Sequence, residues 1–254
     1  MTTNLRRVQW KDDGIYYGEN RMVMEKITTT TISNVYRCTF QQHTIVAKQF
    51  KEDEWEYRME VKVIRHMQRH RLNFVNAWPL TRNTIVMEHM DKDLGEWNGS
   101  PSDIEGVMRT IVDSLQSMVN SGLYYTDMKA QNILFRQTAD STWDIKFGDL
   151  SACAYEGKWC SQTYPYPTHN YSSDDYDGTI MKACEAVVVW GVGIVWMMLL
   201  GHLHMVIEYV SFQLQTPRSA RAFQRSVNKM NIPDTLKKIL SLHYDTLDKI
   251  RVNI

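Results

Sequence analysis

Asp127, Lys129 and Asn132 stand at D-x-K-x-x-N spacing inside Gly122-Leu-Tyr-Tyr-Thr-Asp-Met-Lys-Ala-Gln-Asn-Ile-Leu-Phe135, between apolar flanks. These residue types suit a phosphate and its metal ion. A carboxylate can orient or deprotonate a hydroxyl, an ammonium can neutralise a phosphoryl oxygen, and a carboxamide oxygen can ligate magnesium. A second acid, Asp149, follows the run Ile145-Lys-Phe-Gly148. A lone Asp, Lys or Asn in a loop is usually only solvated, so the elements around these residues decide whether they act together.

Short β-rich runs open the chain: MVMEKI from Met22, NVYRCTF from Asn34 and HTIVAKQF from His43. Their β-branched and aromatic content predicts an antiparallel meander. Residues 1–20, broken by Gly14 and Gly18, read as an N-terminal extension with weak strand character. Met59, Val63 and Met67 recur at helical spacing within 51–68, which predicts a helix, and Thr84-Ile-Val-Met87 reads as a further strand. Beyond it helices dominate, at 103–121, 186–200, 217–230 and 233–243. The partition expected is one domain over 1–254 with two lobes, 1–88 and 89–254.

A chain of 254 residues can bury a full core, and its ordinary charged and apolar fractions exclude wholesale disorder. A formal net charge of zero supports neither nucleic-acid binding nor attraction to a membrane surface. Ala186–Leu200 is unbroken and apolar but shorter than the roughly 20 residues a membrane-spanning helix needs, so a helix buried on all sides is expected. Cys38, Cys153, Cys160 and Cys184 show no metal spacing and read as reduced thiols. His66 with His70, and His202 with His204, read as surface or helix-end residues. A polar N-terminus without an apolar signal region leads us to expect an intracellular protein, cytoplasmic or nuclear.

Asp127 to Asn132 resembles the catalytic loop of eukaryotic-type protein kinases, H-R-D-x-K-x-x-N, with Tyr125 and Thr126 in the first two places. Val46-Ala47-Lys48 is similar to that family's V-A-I-K strand, and Asp149-Leu150-Ser151 to its D-F-G. The resemblance spans nearly the whole chain and keeps Lys48, Glu60, Asp127, Lys129, Asn132 and Asp149 in the family's order. It implies an α+β, bilobal fold: a small antiparallel N-lobe sheet with one helix, and a mainly helical C-lobe trimmed at its C-terminus. It also implies ATP and Mg²⁺. Lys48 would hold the α- and β-phosphates, with Glu60 (or Glu56) as its ion-pair partner. Met87 would be the gatekeeper, Glu88-His89-Met90 the hinge that bonds adenine through backbone groups, and Asp93 a neighbour of the ribose. Val35 and Ala47 would cover the purine from above and Leu134 from below. Asn132 and Asp149 would hold magnesium.

The chain departs from the family in several places. Thr28, Thr30 and Ser33 occupy the glycine positions of the phosphate-covering G-x-G-x-x-G. Glycine lets backbone N–H groups approach phosphate closely, whereas these residues offer hydroxyls that could donate to it. Thr126 replaces an arginine that receives an activation-loop phosphate, and Tyr166-Pro167-Thr168 is the counterpart of A-P-E without its glutamate. Arg251 would be that glutamate's usual partner. Val188 stands where a buried aspartate ties down the catalytic loop, which requires another group to hold that loop.

The resemblance implies an active serine/threonine protein kinase acting on a protein substrate, because the base and metal residues are all retained. Asp127 would orient the substrate hydroxyl and accept its proton, while Lys129 would stabilise the transferring phosphoryl group. The alternative is a pseudokinase serving as a nucleotide-binding or scaffold module. The compact length and eroded motifs look similar to kinases of large DNA viruses, which would place the protein in a host cell.

Overall fold

Alternating apolar positions build the first half of the chain into sheets. A computed structural model describes the protein except for residues 1–3, 12–13, 52–53, 139–141, 165, 167–179, 206 and 208–216. It divides into two compact units, Met1–Asp91 and Lys92–Ile254.

In the first unit, β1 (Val8–Lys11), β2 (Gly14–Tyr17) and β3 (Asn20–Arg21) form an antiparallel meander. Gly18 turns β2 into β3 with φ +63°, a backbone state glycine adopts without penalty. β4 (Val23–Thr29), β5 (Ser33–Phe40), β6 (His43–Phe50), β7 (Ala77–Pro79) and β8 (Thr84–Glu88) form a sheet in the order β4-β5-β6-β8-β7. The weak strand character read at residues 1–20 understates this segment. Val8, Ile15 and Tyr17 enter one buried cluster with Met22 and with Cys38, Ile45, Ala47 and Val86 of the larger sheet. Apolar burial, worth about 25 cal/mol per Å², holds the meander as part of the unit. Helix α1 (Glu54–His70) carries Val63, Ile64 and Met67 buried at helical spacing.

Cys38 lies at the centre of that cluster, and burial pushes its thiol up from 9.0 to about 12. The folded state therefore keeps it protonated where the unfolded chain ionises. Stability is unaffected below pH 9.0 and declines as pH rises from there toward about 12. In the native protein Cys38 should resist alkylation at mildly alkaline pH while the half-buried Cys153 and Cys184 react first, as peptide mass spectrometry would show.

The second unit is mainly helical. The strand β9 (Lys92–Asp93) and one short 3₁₀ turn (Leu94–Glu96) lead to α2 (Pro101–Asn120). Pro101 at the first helical position and the Asp103 carboxylate, which accepts from the Ser100 N–H at 3.0 Å, fix its start. β10 (Leu123–Tyr125), β11 (Ile133–Gln137), β12 (Trp143–Phe147) and β13 (Cys153–Tyr155) follow, then the antiparallel pair β14 (Trp159–Ser161) and β15 (Ile180–Lys182). Helix α3 (Glu185–Leu199) is buried on all sides from Val187 to Met197, as its apolar run predicts. Among the described residues no helix is long and apolar enough to cross a membrane. Helices α4 (Pro217–Lys229), α5 (Asp234–Leu240) and α6 (Leu247–Arg251) complete the unit.

Arg251 has a different partner from the one expected. Its Nε lies 2.7 Å from Asp113 Oδ1, so it joins α6 to α2. Pro167 and Thr168, the proposed A-P-E counterpart, lie outside the described residues.

Candidate active site

In the first unit, β5 and β6 run antiparallel with Val35 opposite Lys48 and Tyr36 opposite Ala47. Lys48 Nζ forms an ion pair with Glu60 Oε1 on α1. The Glu60 side chain is only 2 % exposed, so its charge depends on that ammonium. The partner from α1 is thus Glu60. Ala47 is buried and Val35 half-buried.

The turn joining β4 to β5 spans Thr30 to Ile32. Thr28 lies within β4, facing Val35, just past an irregularity in the strand register. Thr30 Oγ1 accepts from the Ser33 N–H at 3.0 Å and lies 3.2 Å from Ser33 Oγ. Lys51 Nζ donates to the Thr30 carbonyl at 2.5 Å. The expectation that hydroxyls here could donate to phosphate needs correcting at Ser33. Its side chain is buried at 1 % exposure and turned toward Thr30. Thr28 and Thr30 remain exposed. A threonine that bonds its own backbone three residues on does locally what glycine's freedom does elsewhere: it closes a tight turn.

At the end of β8, Met87 pairs with Val46 and Glu88 with Ile45. The Glu88 carboxylate turns inward and accepts from the Asn76 N–H at 2.7 Å, while the Glu88 N–H donates to the Asn76 carbonyl at 2.8 Å. The Glu88 side chain and N–H are thus both engaged within the first unit. Met90 is buried.

In the second unit, β11 brings Asp93 opposite Leu134. Asp93 Oδ1 accepts from the Gly95 N–H at 2.7 Å and so caps a 3₁₀ turn. The catalytic-loop segment runs between β10 and β11, with Asp127, Lys129 and Asn132 close together. Lys129 Nζ is 3.0 Å from Asp127 Oδ2, and the Asn132 amide nitrogen donates to the Asp127 carbonyl at 2.9 Å. That bond uses the amide nitrogen and leaves the carboxamide oxygen as the atom able to ligate a metal. The Gly148 N–H donates to the Asn132 carbonyl at 2.8 Å, so Asn132 and the residue before Asp149 are joined directly. A Cβ on Gly148 would lie 3.2 Å from Leu134 Cδ1, which makes this approach a tight one.

Thr163, which the sequence reading passed over, closes the arrangement. Its N–H donates to Asp127 Oδ1 at 2.5 Å, and Lys129 Nζ donates to its hydroxyl at 3.3 Å. Thr163 lies 36 residues from Asp127, and its one sequence signal is a place just ahead of Tyr166. Trp190 Nε1 on α3 donates to the Tyr164 carbonyl at 3.1 Å, and Gln162 Oε1 accepts from the Tyr166 N–H at 2.8 Å. The segment that brings Thr163 to the acid and the ammonium is thus itself held in place. Thr163→Val keeps the backbone bond to Asp127 and removes the hydroxyl bonded to Lys129. A hydrogen bond to a charged group is worth about 1.5 kcal/mol, so steady-state kinetics should show kcat about tenfold lower.

Val188 raised the question of what braces the loop, and three contacts answer it. β10 pairs with β13, with Tyr125 opposite Cys153. Thr126 donates twice to the Ala152 carbonyl, from its N–H at 2.8 Å and its hydroxyl at 3.1 Å. From α3, Gly191 abuts Met128 so closely that a Cβ on the glycine would lie 2.4 Å from Met128 Cβ. Tyr125 packs edge-on against Phe147 at 4.9 Å. Its phenol is held well above its ordinary pKa, first by burial and then by the negative charge of Asp149, so it stays neutral.

After β12, Asp149 opens a 3₁₀ turn over Leu150–Ala152. Leu150 is buried, filling the apolar slot. Asp149 Oδ1 accepts from the Ser151 hydroxyl at 2.6 Å and from the Ser151 N–H at 3.3 Å. Among the described residues no group of three or more His, Cys, Asp or Glu could hold a metal. One carboxylate and one carboxamide nevertheless suit magnesium, which takes one or two protein oxygens and completes its shell with phosphate and water.

The fold and this polar arrangement together define a protein kinase, and the protein kinase domain model matches residues 22–243. The chain belongs to the protein kinase family. Among solved structures it is similar to the kinase PK-1 of Cydia pomonella granulovirus, at TM-score 0.62 and 15% identity, over 91% of this chain and 93% of that one. No curated protein matches the chain.

Proposed function

We propose that this chain transfers the γ-phosphate of Mg·ATP to serine or threonine hydroxyls of a protein substrate. The observation that carries the reading is the Asp127–Lys129–Thr163 arrangement, which pairs an oriented carboxylate with an ammonium. Asp127 orients the substrate hydroxyl and takes its proton, and Lys129 offsets charge on the transferring group. Lys48, kept extended by Glu60, binds the α- and β-phosphates. By the family resemblance Val35, Ala47 and Leu134 would be the purine-site residues, the Glu88 carbonyl and the Met90 backbone would bond the purine edge, Met87 would be the gatekeeper, and Asp93 would meet the ribose. Thr28 and Thr30, both exposed, would face the phosphates, while Ser33 is buried. Asn132 and Asp149 are the magnesium ligands, and bound magnesium supplies charge neutralisation on the phosphate oxygens. Lys129 two residues after the acid supports serine/threonine over tyrosine specificity. Cys38, Cys153, Cys160 and Cys184 form no disulfide with one another, which fits an intracellular setting, cytoplasmic or nuclear.

The test is incorporation of labelled phosphate from Mg·ATP into a generic basic protein by wild type, Asp127→Asn and Lys48→Met, followed by phosphoamino-acid analysis. Label on serine or threonine that both substitutions abolish supports the proposal. Incorporation that is absent from wild type, or unchanged in both variants, would sink it. A second reading, a nucleotide-binding pseudokinase, draws on the glycine-free turn with Ser33 buried. It predicts no incorporation together with thermal stabilisation by ATP, which follows RT ln(1 + [L]/Kd).

A further inference from the structure

Each of the two candidate magnesium ligands has one polar atom bound within its own loop and the other without a hydrogen bond among the described residues. Asn132 uses its amide nitrogen on the Asp127 carbonyl at 2.9 Å. Asp149 uses Oδ1, which accepts from Ser151 Oγ at 2.6 Å and from the Ser151 N–H at 3.3 Å. The backbone bond is open to any residue at this place, glycine included. The hydroxyl bond exists only because residue 151 is serine. Its length is that of a charge-assisted O–H···O⁻ bond, the stronger kind.

The turn that carries Ser151 is fixed on both sides. Leu150 and Ala152 are buried. The Ala152 N–H donates to the Asp149 carbonyl at 3.1 Å, and the Ala152 carbonyl receives both bonds from Thr126. Ser151 itself is exposed, so its side chain takes no part in core packing. Its hydroxyl has one evident effect, on the carboxylate of Asp149.

We propose that Ser151 is a positioning residue that fixes Asp149 as a single-oxygen magnesium ligand, holding Oδ1 and presenting Oδ2. It thereby makes the Asp149-Leu-Ser turn serviceable without a glycine. The proposal rests on the reading that Asp149 holds magnesium. Groups that orient a metal ligand from behind typically change metal affinity by about 10–100-fold when removed.

The experiment uses the full chain and the fluorescent nucleotide TNP-ATP, titrated with Mg²⁺ and, separately, in EDTA. Wild type is compared with Ser151→Ala, Ser151→Gly and Ser151→Thr. The Mg²⁺ concentration for half-maximal enhancement of binding should rise about tenfold or more in the alanine and glycine variants. Threonine, which restores a hydroxyl, should return it toward wild type, and binding in EDTA should be equal in all four. Thermal unfolding without metal checks that each variant folds; the exposed site makes alanine and glycine independent routes to the same loss. An unchanged Mg²⁺ requirement in folded alanine and glycine variants overturns the role of Ser151. Binding in EDTA weakened as much as binding in Mg²⁺ overturns it too, since the effect would then be on the fold. If wild-type binding shows no Mg²⁺ dependence and Asp149→Asn changes nothing, the metal reading itself fails, a result distinct from both.

Discussion

Asp127→Asn should lower phosphotransfer by about 10²–10⁴-fold, the range usual for removing a general base, while leaving thermal stability nearly unchanged. Asparagine is isosteric and keeps a carbonyl oxygen that can accept from the Thr163 N–H, the 2.5 Å bond made by Asp127 Oδ1. Its NH₂ group would face Lys129, an ammonium now 3.0 Å from Oδ2, so a donor would meet a donor. The variant therefore loses the proton acceptor and releases Lys129, yet retains the backbone tie that positions the segment. Steady-state kinetics set beside a melting curve separate these effects. Full activity in a folded Asp127→Asn protein would remove Asp127 from the chemistry.

Gly191→Ala is expected to be a strongly damaging single-methyl change in the second unit. The new Cβ would lie 2.4 Å from Met128 Cβ and 2.5 Å from Met128 Cγ. The nearer atom is the first carbon of the side chain, which a rotamer change cannot move, so the loop between Thr126 and Lys129 must shift. Overpacking of this kind costs about 1–3 kcal/mol, and an ångström of displacement at a reacting group can cost roughly 100-fold in rate. The comparison is Gly106→Ala on α2, where nothing lies within 4 Å of the added carbon. An exposed helical glycine replaced by alanine should gain about 0.5–1 kcal/mol. Activity should thus collapse in the first variant and hold in the second. Equal activity in both would show that the α3 contact does not set the loop's position.

The polar positions were legible because their chemistry constrains their types and spacing. A base, an ammonium and a carboxamide within Asp127–Asn132 have few other uses together. The large sheet and the helix of the first unit were legible from periodicity, while the choice between Glu60 and Glu56 was settled by the ion pair from Lys48. What escaped were contacts made by backbone groups or by residues far apart in the chain. Thr163 reaches Asp127 through its N–H, which its side-chain type does not advertise. The replacement for the aspartate absent at Val188 is shared between a carbonyl at Ala152 and a missing Cβ at Gly191, and neither has a sequence signature. The β1–β3 meander was under-read because Val8, Ile15 and Tyr17 become core residues only once the larger sheet lies beneath them. Ser33 was misread through treating a hydroxyl as available without asking what its neighbour Thr30 would do with it.

The Thr30 turn has a calorimetric consequence. A glycine-rich loop is loose until a nucleotide orders it, and that ordering appears as an entropy loss on binding. Here the turn is already closed by Thr30 Oγ1 on the Ser33 N–H and tethered by Lys51 on the Thr30 carbonyl. Its ordering is completed at folding, and groups that could have bonded a phosphate are spent on each other. Nucleotide binding should accordingly show a smaller entropic penalty and a smaller enthalpic gain than a glycine loop would give. Two opposite changes of that kind can leave affinity almost where it was.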